Sequence, residues 1–146
     1  MSPIPIIVCG RNPAIAKNVR KGLEPEYDVI HIVLTPEQGI SDIPPLLSGQ
    51  KLSTTPINLG SQNYAQKPVA VALGGGFSDD QFQQIRDACK DSPAIWMRTD
   101  MTRFAEMPDL GDVEAYGAAV AERAKSRMGE LGVGREGGKV EGEFYF

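Results

Sequence analysis

Three turns in this sequence combine glycine, arginine and short polar side chains in a way that suits the binding of an anion. They are Gly10–Pro13, Gly74–Gly76 and Arg98–Asp100. The first two directly precede predicted helices, and a helix N-terminus offers unpaired N–H groups and about half a positive charge. Glycine lets a phosphate approach the backbone, while Arg11 and Arg98 each add a full charge. The pattern predicts a site for a phosphate-bearing small molecule.

The turns follow short apolar segments that have the character of strands buried on both faces of a parallel sheet. Four strands are predicted in chain order, at Ile4–Cys9, Tyr27–Leu34, Val69–Leu73 and Ala94–Met97. Because the carboxyl ends of parallel strands meet at one edge, we expect the three turns and Thr35 to converge on one crevice. The candidate cofactor-binding residues are therefore Gly10, Arg11, Asn12, Pro13, Thr35, Gly74, Gly75, Gly76 and Arg98.

Helix signals separate these strands. Asn12 is a good N-cap and Pro13 suits the first helical position, so a helix is expected from Pro13 to the stop at Glu24-Pro25. A capping box of Ser78 and Gln81 predicts the start of a second helix. A final helix is expected from Asp112 to Met128, ended by Gly129. Strand, helix and parallel strand alternate, and this predicts a single-domain α/β fold, a three-layer Rossmann-like sandwich with a mostly parallel sheet.

Two regions lack a clear pattern. Residues 35–68 are rich in proline and polar residues, and we expect no more than a short helix near Leu46 or a short strand at 57–59. We therefore divide the chain into a Rossmann-like α/β domain at 1–128 and a glycine-rich C-terminal tail at 129–146. The aromatic end of that tail, 144–146, is either disordered or adds a strand to a sheet edge of the same chain or of a second copy, and the last case would give a homodimer.

Composition narrows the function classes. The net charge of the 146 residues is -4, and residues 74–146 hold 14 acidic against 9 basic side chains, so neither nucleic acid nor an anionic membrane is an expected partner. Cys9, Cys89 and the single histidine form no disulfide framework or zinc pattern. The N-terminus lacks a signal-peptide pattern, and no apolar run reaches membrane-spanning length. We expect a cytoplasmic protein without a metal.

The segments IIVCGRNPAIAKNV and VALGGGFSDDQFQQI resemble the NAD(P)-binding Rossmann superfamily. The resemblance implies a nucleotide or dinucleotide-phosphate binder, with an oxidoreductase role that would need a partner or a dimer interface, since no substrate domain follows. In the G-x-G-x-x-G fingerprint only Gly10 matches, with Asn12 and Ile15 at the other two glycine positions. The acidic residue that grips the ribose of NAD is replaced by Leu34-Thr35. Arg11 and Thr35 therefore favour NADP over NAD.

Other functions stay open. A non-catalytic interaction module or dimer that has lost the cofactor would act through residues 35–68 and the tail. A small lyase or isomerase would use Asp100, His31 or Tyr64 for proton transfer, although a packed, hydrogen-bonded role is expected for His31 in the middle of its strand. We interpret Cys9 as a small buried apolar residue, because a phosphatase loop needs an arginine six residues later, where Ile15 stands.

Overall fold

The computed structural model describes residues 3–52 and 57–146; residues 53–56, within the region that we expected to be irregular, lie outside it. The described residues form five strands, four α-helices and one 3-10 helix. The strands are β1 (Ile4–Cys9), β2 (Tyr27–Val33), β3 (Ala70–Leu73), β4 (Ile95–Arg98) and β5 (Gly142–Tyr145). The α-helices are α1 (Pro13–Leu23), α2 (Pro36–Leu47), α3 (Asp79–Ala88) and α4 (Val113–Leu131), and the 3-10 helix is Met101–Glu106.

All five strands pair in parallel, in the spatial order β2-β1-β3-β4-β5. Helices α1 and α4 cover one face of the sheet, and α2 and α3 cover the other. This confirms the predicted α/β fold, a Rossmann-like sandwich. The strand order is the flavodoxin-like variant of the doubly wound fold, in which the direction of winding switches between β1 and β3. Ligand crevices in such sheets lie at that switch, outside the carboxyl ends of the strands.

Local capping explains why the predicted starts of α1 and α3 are confirmed. The Asn12 side chain accepts hydrogen bonds from the N–H groups of Ala14 and Ile15, at 3.0 and 3.3 Å. In α3, the Ser78 hydroxyl accepts from Gln81 N–H at 3.2 Å, while the Gln81 side chain accepts from Ser78 N–H at 2.9 Å. Both devices involve neighbours in sequence, so they are readable without knowledge of the tertiary structure.

Helix α2 corrects the prediction of little structure after residue 35. It spans Pro36–Leu47, with Thr35 as its N-cap, whose hydroxyl accepts from Gln38 N–H at 3.1 Å. Pro44 and Pro45 lie inside the helix, where each removes a backbone donor and ordinarily disfavours helix. The helix forms because it buries Ile43 and its last two leucines in the core, and tertiary packing outweighs the local preference.

The outer edge of β2 is covered by the chain that follows α2. The side-chain amide of Asn58 accepts from Ile32 N–H at 2.8 Å and donates to the Ile32 carbonyl at 2.9 Å. Ser61 N–H donates to the Val29 carbonyl, and Gln62 N–H to the Ile30 carbonyl, both at 2.9 Å. These bonds replace the pairing that a neighbouring strand would supply, although residues 57–59 do not form the extra strand that we considered.

The end of the chain also differs from expectation. Helix α4 runs through Gly129 to Leu131 and ends at Gly132, whose φ of 68° is left-handed, so the predicted stop at Gly129 is wrong. Residues 142–145 are strand β5, paired with β4 of the same chain. Of the two alternatives for the aromatic end, the structure therefore shows a strand added to the sheet of its own chain and not a disordered end.

Candidate functional site

A cavity of about 450 Å³ opens at the carboxyl ends of β1 and β3, where the winding of the sheet switches. Its volume lies within the range of about 300–1,000 Å³ that is typical of small-molecule sites. The apolar side chains that form the body of the cavity come from helices α1 and α4, from the strands beneath them and from the residue after β5. They are Val8, Ala72, Ile15, Ala16, Val19, Leu23, Tyr116, Val120, Ala124 and Phe146.

The glycine turn after β3 forms one side of the cavity mouth. Gly74 N–H donates to the Cys9 carbonyl at 2.8 Å and so joins this turn to the turn after β1. A Cβ atom on Gly75 would lie 2.4 Å from the Met101 sulfur, so a larger residue here would require the Met101 side chain to move. Among the described residues, no hydrogen bond uses the N–H groups of Gly75 and Gly76. These two donors are available to a ligand.

The start of α1 forms the other side of the mouth, but its N–H groups are mostly used within the helix. The Asn12 side chain takes those of Ala14 and Ile15, its carbonyl takes that of Ala16, and Pro13 has none. Positive charge at this side comes instead from Arg11, an exposed side chain that lies over the Phe77 ring at 5.8 Å. An anion at the mouth would be held by this guanidinium and by the N–H groups of Gly75 and Gly76, and not by the N-terminus of α1.

The cavity brings together six of the nine residues predicted from the sequence. It is lined by Gly10, Arg11, Asn12, Gly74, Gly75 and Gly76, whereas Pro13, Thr35 and Arg98 do not line it. Thr35 is occupied in capping α2.

Arg98 lies apart from the cavity. Its guanidinium pairs with Asp79 and lies over the rings of Phe82 and Tyr145, at 4.4 and 5.8 Å. Although Arg98 and Asp100 are close in sequence, Arg98 pairs with Asp79 and not with Asp100. The Asp100 carboxylate instead accepts hydrogen bonds from Thr102 N–H and hydroxyl, at 3.0 and 2.6 Å.

Sequence reasoning missed the apolar body of the site and the residues that close it. Helix α4 contributes three lining side chains, and Phe146 a fourth, although neither region was assigned to the site. The available signal was the small side chains of Ala124 in α4 and Ala72 in β3, both of which line the cavity. Small residues on facing elements leave space that large residues would fill.

The segment after β4 roofs the cavity. Thr99 hydroxyl donates to the Leu73 carbonyl at 3.0 Å, which fixes the start of this segment against β3. Met101 and Leu110 both line the cavity and are 48% and 49% exposed, so the entrance is partly apolar. The hydrogen bonds from Thr102 hold the pKa of the Asp100 carboxyl below its usual range. A stable carboxylate thus caps the 3-10 helix next to the mouth.

The two thiols are chemically quiet. Burial raises the pKa of the Cys9 thiol far above its usual range and raises that of Cys89 to about 11. Both side chains are buried and in the reduced form. The thiolate is the nucleophilic form of cysteine, so neither thiol is reactive at neutral pH. This agrees with the interpretation of Cys9 as a small buried apolar residue.

His31 forms a second polar cluster, at the β2 edge. It is fully buried; Nδ1 lies 2.7 Å from the Tyr64 hydroxyl and Nε2 lies 2.8 Å from an oxygen of Asp42. Burial raises the pKa of Tyr64, which keeps its hydroxyl protonated. The expected packed, hydrogen-bonded histidine is confirmed, with Asp42 as a partner that the sequence did not indicate. None of the three lines the cavity, and Asp100 is bonded elsewhere.

Clusters of metal-ligating side chains and long apolar helices would mark two other kinds of site. No three or more His, Cys, Asp or Glu side chains in residues 3–52 and 57–146 are grouped so that they could hold a metal ion. None of the helices in these residues combines the length and hydropathy needed to cross a membrane.

The chain is similar over nearly its whole length to a known protein. The chain is 38% identical, over 146 residues, to a protein called "Kojic acid related protein 6" from Aspergillus oryzae (strain ATCC 42149 / RIB 40). The similarity covers 98% of this chain and 86% of the relative. No established family profile matches the sequence, and no solved structure matches it.

Proposed function

The chain belongs to the family of kojic acid related protein 6, and from this premise we propose that it is a binding protein for a small phosphate-bearing molecule of the nucleotide class. The observation that carries the proposal is the cavity at the β1–β3 switch, with an apolar body and a mouth that carries Arg11 and the free N–H groups of Gly75 and Gly76. A flat ring would occupy the body, and a phosphate would occupy the mouth.

Within the nucleotide class, the geometry favours a single nucleotide over NADP. A dinucleotide phosphate would need a second anion site, for which we proposed Thr35, but Thr35 caps α2 and does not line the cavity. The flavodoxin-like strand order gives the same preference by analogy of fold, since flavodoxin holds FMN at this switch. NADP remains the competing ligand, and its 2′-phosphate would bind at Arg11.

The non-catalytic interaction module receives less support. The regions through which it would act are packed against the domain: residues 36–47 form α2, residues 58–62 are bonded to β2, and residues 142–145 pair with β4. A segment that is already bonded within its own chain must be released before it can bind a partner, and this lowers its affinity.

Thermal unfolding with added ligand tests the proposal. The panel is FMN, AMP, NADPH, NADH and kojic acid, the last because the name of the relative refers to it. A ligand at 100 times its Kd adds about 2.7 kcal/mol to the free energy of unfolding and raises Tm by roughly 5–15 °C. We expect FMN to give the largest rise. A rise in Tm with NADPH alone would identify NADP as the ligand instead of a single nucleotide. No rise in Tm with any nucleotide would refute the proposal.

A charge reversal locates the ligand. Arg11→Glu should raise the Kd of the ligand by about tenfold or more, because it places a carboxylate where the phosphate binds. Lys17→Glu is the matched control: it makes the same change on an exposed side chain of α1 that does not line the cavity, and we expect less than about a twofold effect. Equal losses in the two variants would indicate nonspecific attraction and not a site at the mouth.

A further inference from the structure

Phe146 occupies an unusual position for a residue so far from the other cavity residues in sequence. It follows β5, is only 6% exposed, and lines the cavity together with Val8, Ala72 and Ala124. Its N–H donates to the Arg98 carbonyl at 2.9 Å, and its carbonyl oxygen accepts from Asp100 N–H at 2.7 Å. The backbone is thus held to the end of β4 while the ring closes one side of the cavity.

Arg123 of α4 links this wall to the roof. One guanidinium nitrogen donates to the Phe146 carbonyl at 2.8 Å and lies 3.4 Å from the Asp100 carbonyl. The other terminal nitrogen lies 3.2 Å from the Met107 sulfur. The Arg123 Nε is buried and has no hydrogen-bond partner among the described residues. One side chain therefore holds both the β5 end and the segment that covers the mouth.

Strand β5 lies at an edge of the sheet and is reached through a glycine-rich connection. It pairs on one side only, with β4, and Glu143 and Tyr145 are exposed. The chain that leads to it from α4 has positive φ angles at Gly132, Gly134 and Gly137 and an exposed Val140. Chain ends and edge elements can open locally with a smaller free energy than global unfolding.

We infer that Phe146 is a specificity-determining residue of the cavity and that β5 is its movable wall. The inference rests on the proposed function and adds to it the residue that selects the ring and a coupling between binding and the docking of β5. The inserted group is a flat apolar ring that packs against the Phe146 ring, because aromatic faces favour offset-stacked or edge-to-face partners. Since the ligand contacts a wall that can open, binding and docking of β5 favour each other by the same factor.

The first test uses 1-anilino-8-naphthalenesulfonate, which has an aromatic body and one sulfonate and therefore matches the body and the mouth of the cavity. Its fluorescence reports binding, and hydrogen exchange of the full chain reports the opening of β5. Without the probe, we expect the amides of Phe144 and Phe146 to exchange faster than those of β1. With saturating probe, their exchange should slow by about tenfold, while that of β2, away from the cavity, changes less.

Variants make the second test. Phe146→Leu keeps an apolar side chain but removes the ring, and it should raise the Kd of the probe by about tenfold. Tyr145→Leu is the matched control, because Tyr145 is a neighbouring ring that is 58% exposed and does not line the cavity. Comparison of the two Tm values separates a loss of affinity from a loss of folding.

The outcomes separate the two proposals. If the probe binds and Arg11→Glu weakens it, but neither β5 exchange nor Phe146→Leu has an effect, the inference about β5 is wrong and the binding function stands. If the amides of β5 exchange no faster than those of β1 without the probe, the proposal that β5 is a movable wall is also refuted. If the probe does not bind the native protein, the ring-binding cavity fails and the inference fails with it. Slower β5 exchange together with weaker binding by Phe146→Leu supports the inference.

Discussion

The two faces of the sheet differ in how completely side chains fill the space between strands and helices. On the α2–α3 face, β4 presents the fully buried Trp96, whose ring meets Phe82 edge to face at a centroid distance of 6.2 Å. On the α1–α4 face, β3 presents Ala72, and the helices approach so closely that a Cβ atom on Gly22 would lie 2.6 Å from that of Ala121. The first face is filled, and the second keeps a cavity at one end.

This difference shows how a small domain keeps an open site. Interiors normally pack to high density, and a void loses the contacts of its lining atoms. On the α1–α4 face, close contacts at Gly22 and Gly117 fix the two helices together, so they cannot close over the small side chains near the mouth. On the open face, the small side chains of Ala72 and Ala124 leave the space of the candidate site.

The largest expected effect lies on the filled face. Trp96→Ala should reduce the free energy of unfolding by about 3–5 kcal/mol, because it leaves a large hole in a dense cluster. Urea denaturation followed by circular dichroism measures it. Trp96→Phe is the control: it removes an indole N–H that is buried without a partner among the described residues, so the penalty should be clearly smaller. A loss below about 1 kcal/mol for Trp96→Ala would show that this face is not densely packed.

Two alanines of α4 sharpen the contrast within the open face. Ala121→Leu should destabilise by about 1–3 kcal/mol, since Ala121 lies against Gly22 and has no free space. Ala124, one turn later and equally buried, lines the cavity. Ala124→Leu should therefore change the free energy of unfolding by less than about 1 kcal/mol while preventing binding of the probe. The same denaturation experiment compares them. Equal losses would mean that the cavity has no room for a side chain.

Alanine substitutions at two glycines of α4 should change the free energy of unfolding by smaller amounts and in opposite directions. Gly117→Ala should destabilise by about 1–2 kcal/mol, because its Cβ would lie 2.4 Å from the Asn18 Cβ of α1. Gly129→Ala should stabilise by about 0.5–1 kcal/mol, because nothing lies within 4 Å of its Cβ and alanine favours helix. Thermal unfolding of both variants tests this. Stabilisation by Gly117→Ala would disprove the close helix contact.

The smallest effect concerns the polar rim of the open face. The lowered pKa of Asp100 means that its carboxylate stabilises the fold above its unfolded pKa, and that this contribution is lost as pH falls through the folded pKa. Asp100→Ala should therefore be less stable than the native protein at neutral pH, with the difference shrinking in acid. Thr102→Val, which removes the hydroxyl donor, should reduce this pH dependence. A difference that is constant with pH would contradict the assigned hydrogen bonds.

The parts of the fold that were predictable depend on near neighbours in sequence. Asn12 and Ser78 cap their own helices, so the starts of α1 and α3 could be placed to the residue. Helix α2 was missed because Pro44 and Pro45 argue against helix, while the burial that stabilises it comes from distant elements. Half of the candidate site was predictable for the same reason: the mouth consists of local turns, whereas its body needs the strand order and the arrival of Phe146 from the far end of the sheet.

The amide of Asn58, which bonds to Ile32 as a strand would, also limits how copies of this chain can associate through their sheets. With the β2 side closed by side-chain and backbone bonds, the outer side of β5 is the edge left open among the described residues. Growth of a filament requires two free edges on every copy, and here one is blocked. Association through β5 would therefore stop at a pair, so the covered β2 edge disfavours open-ended polymerisation.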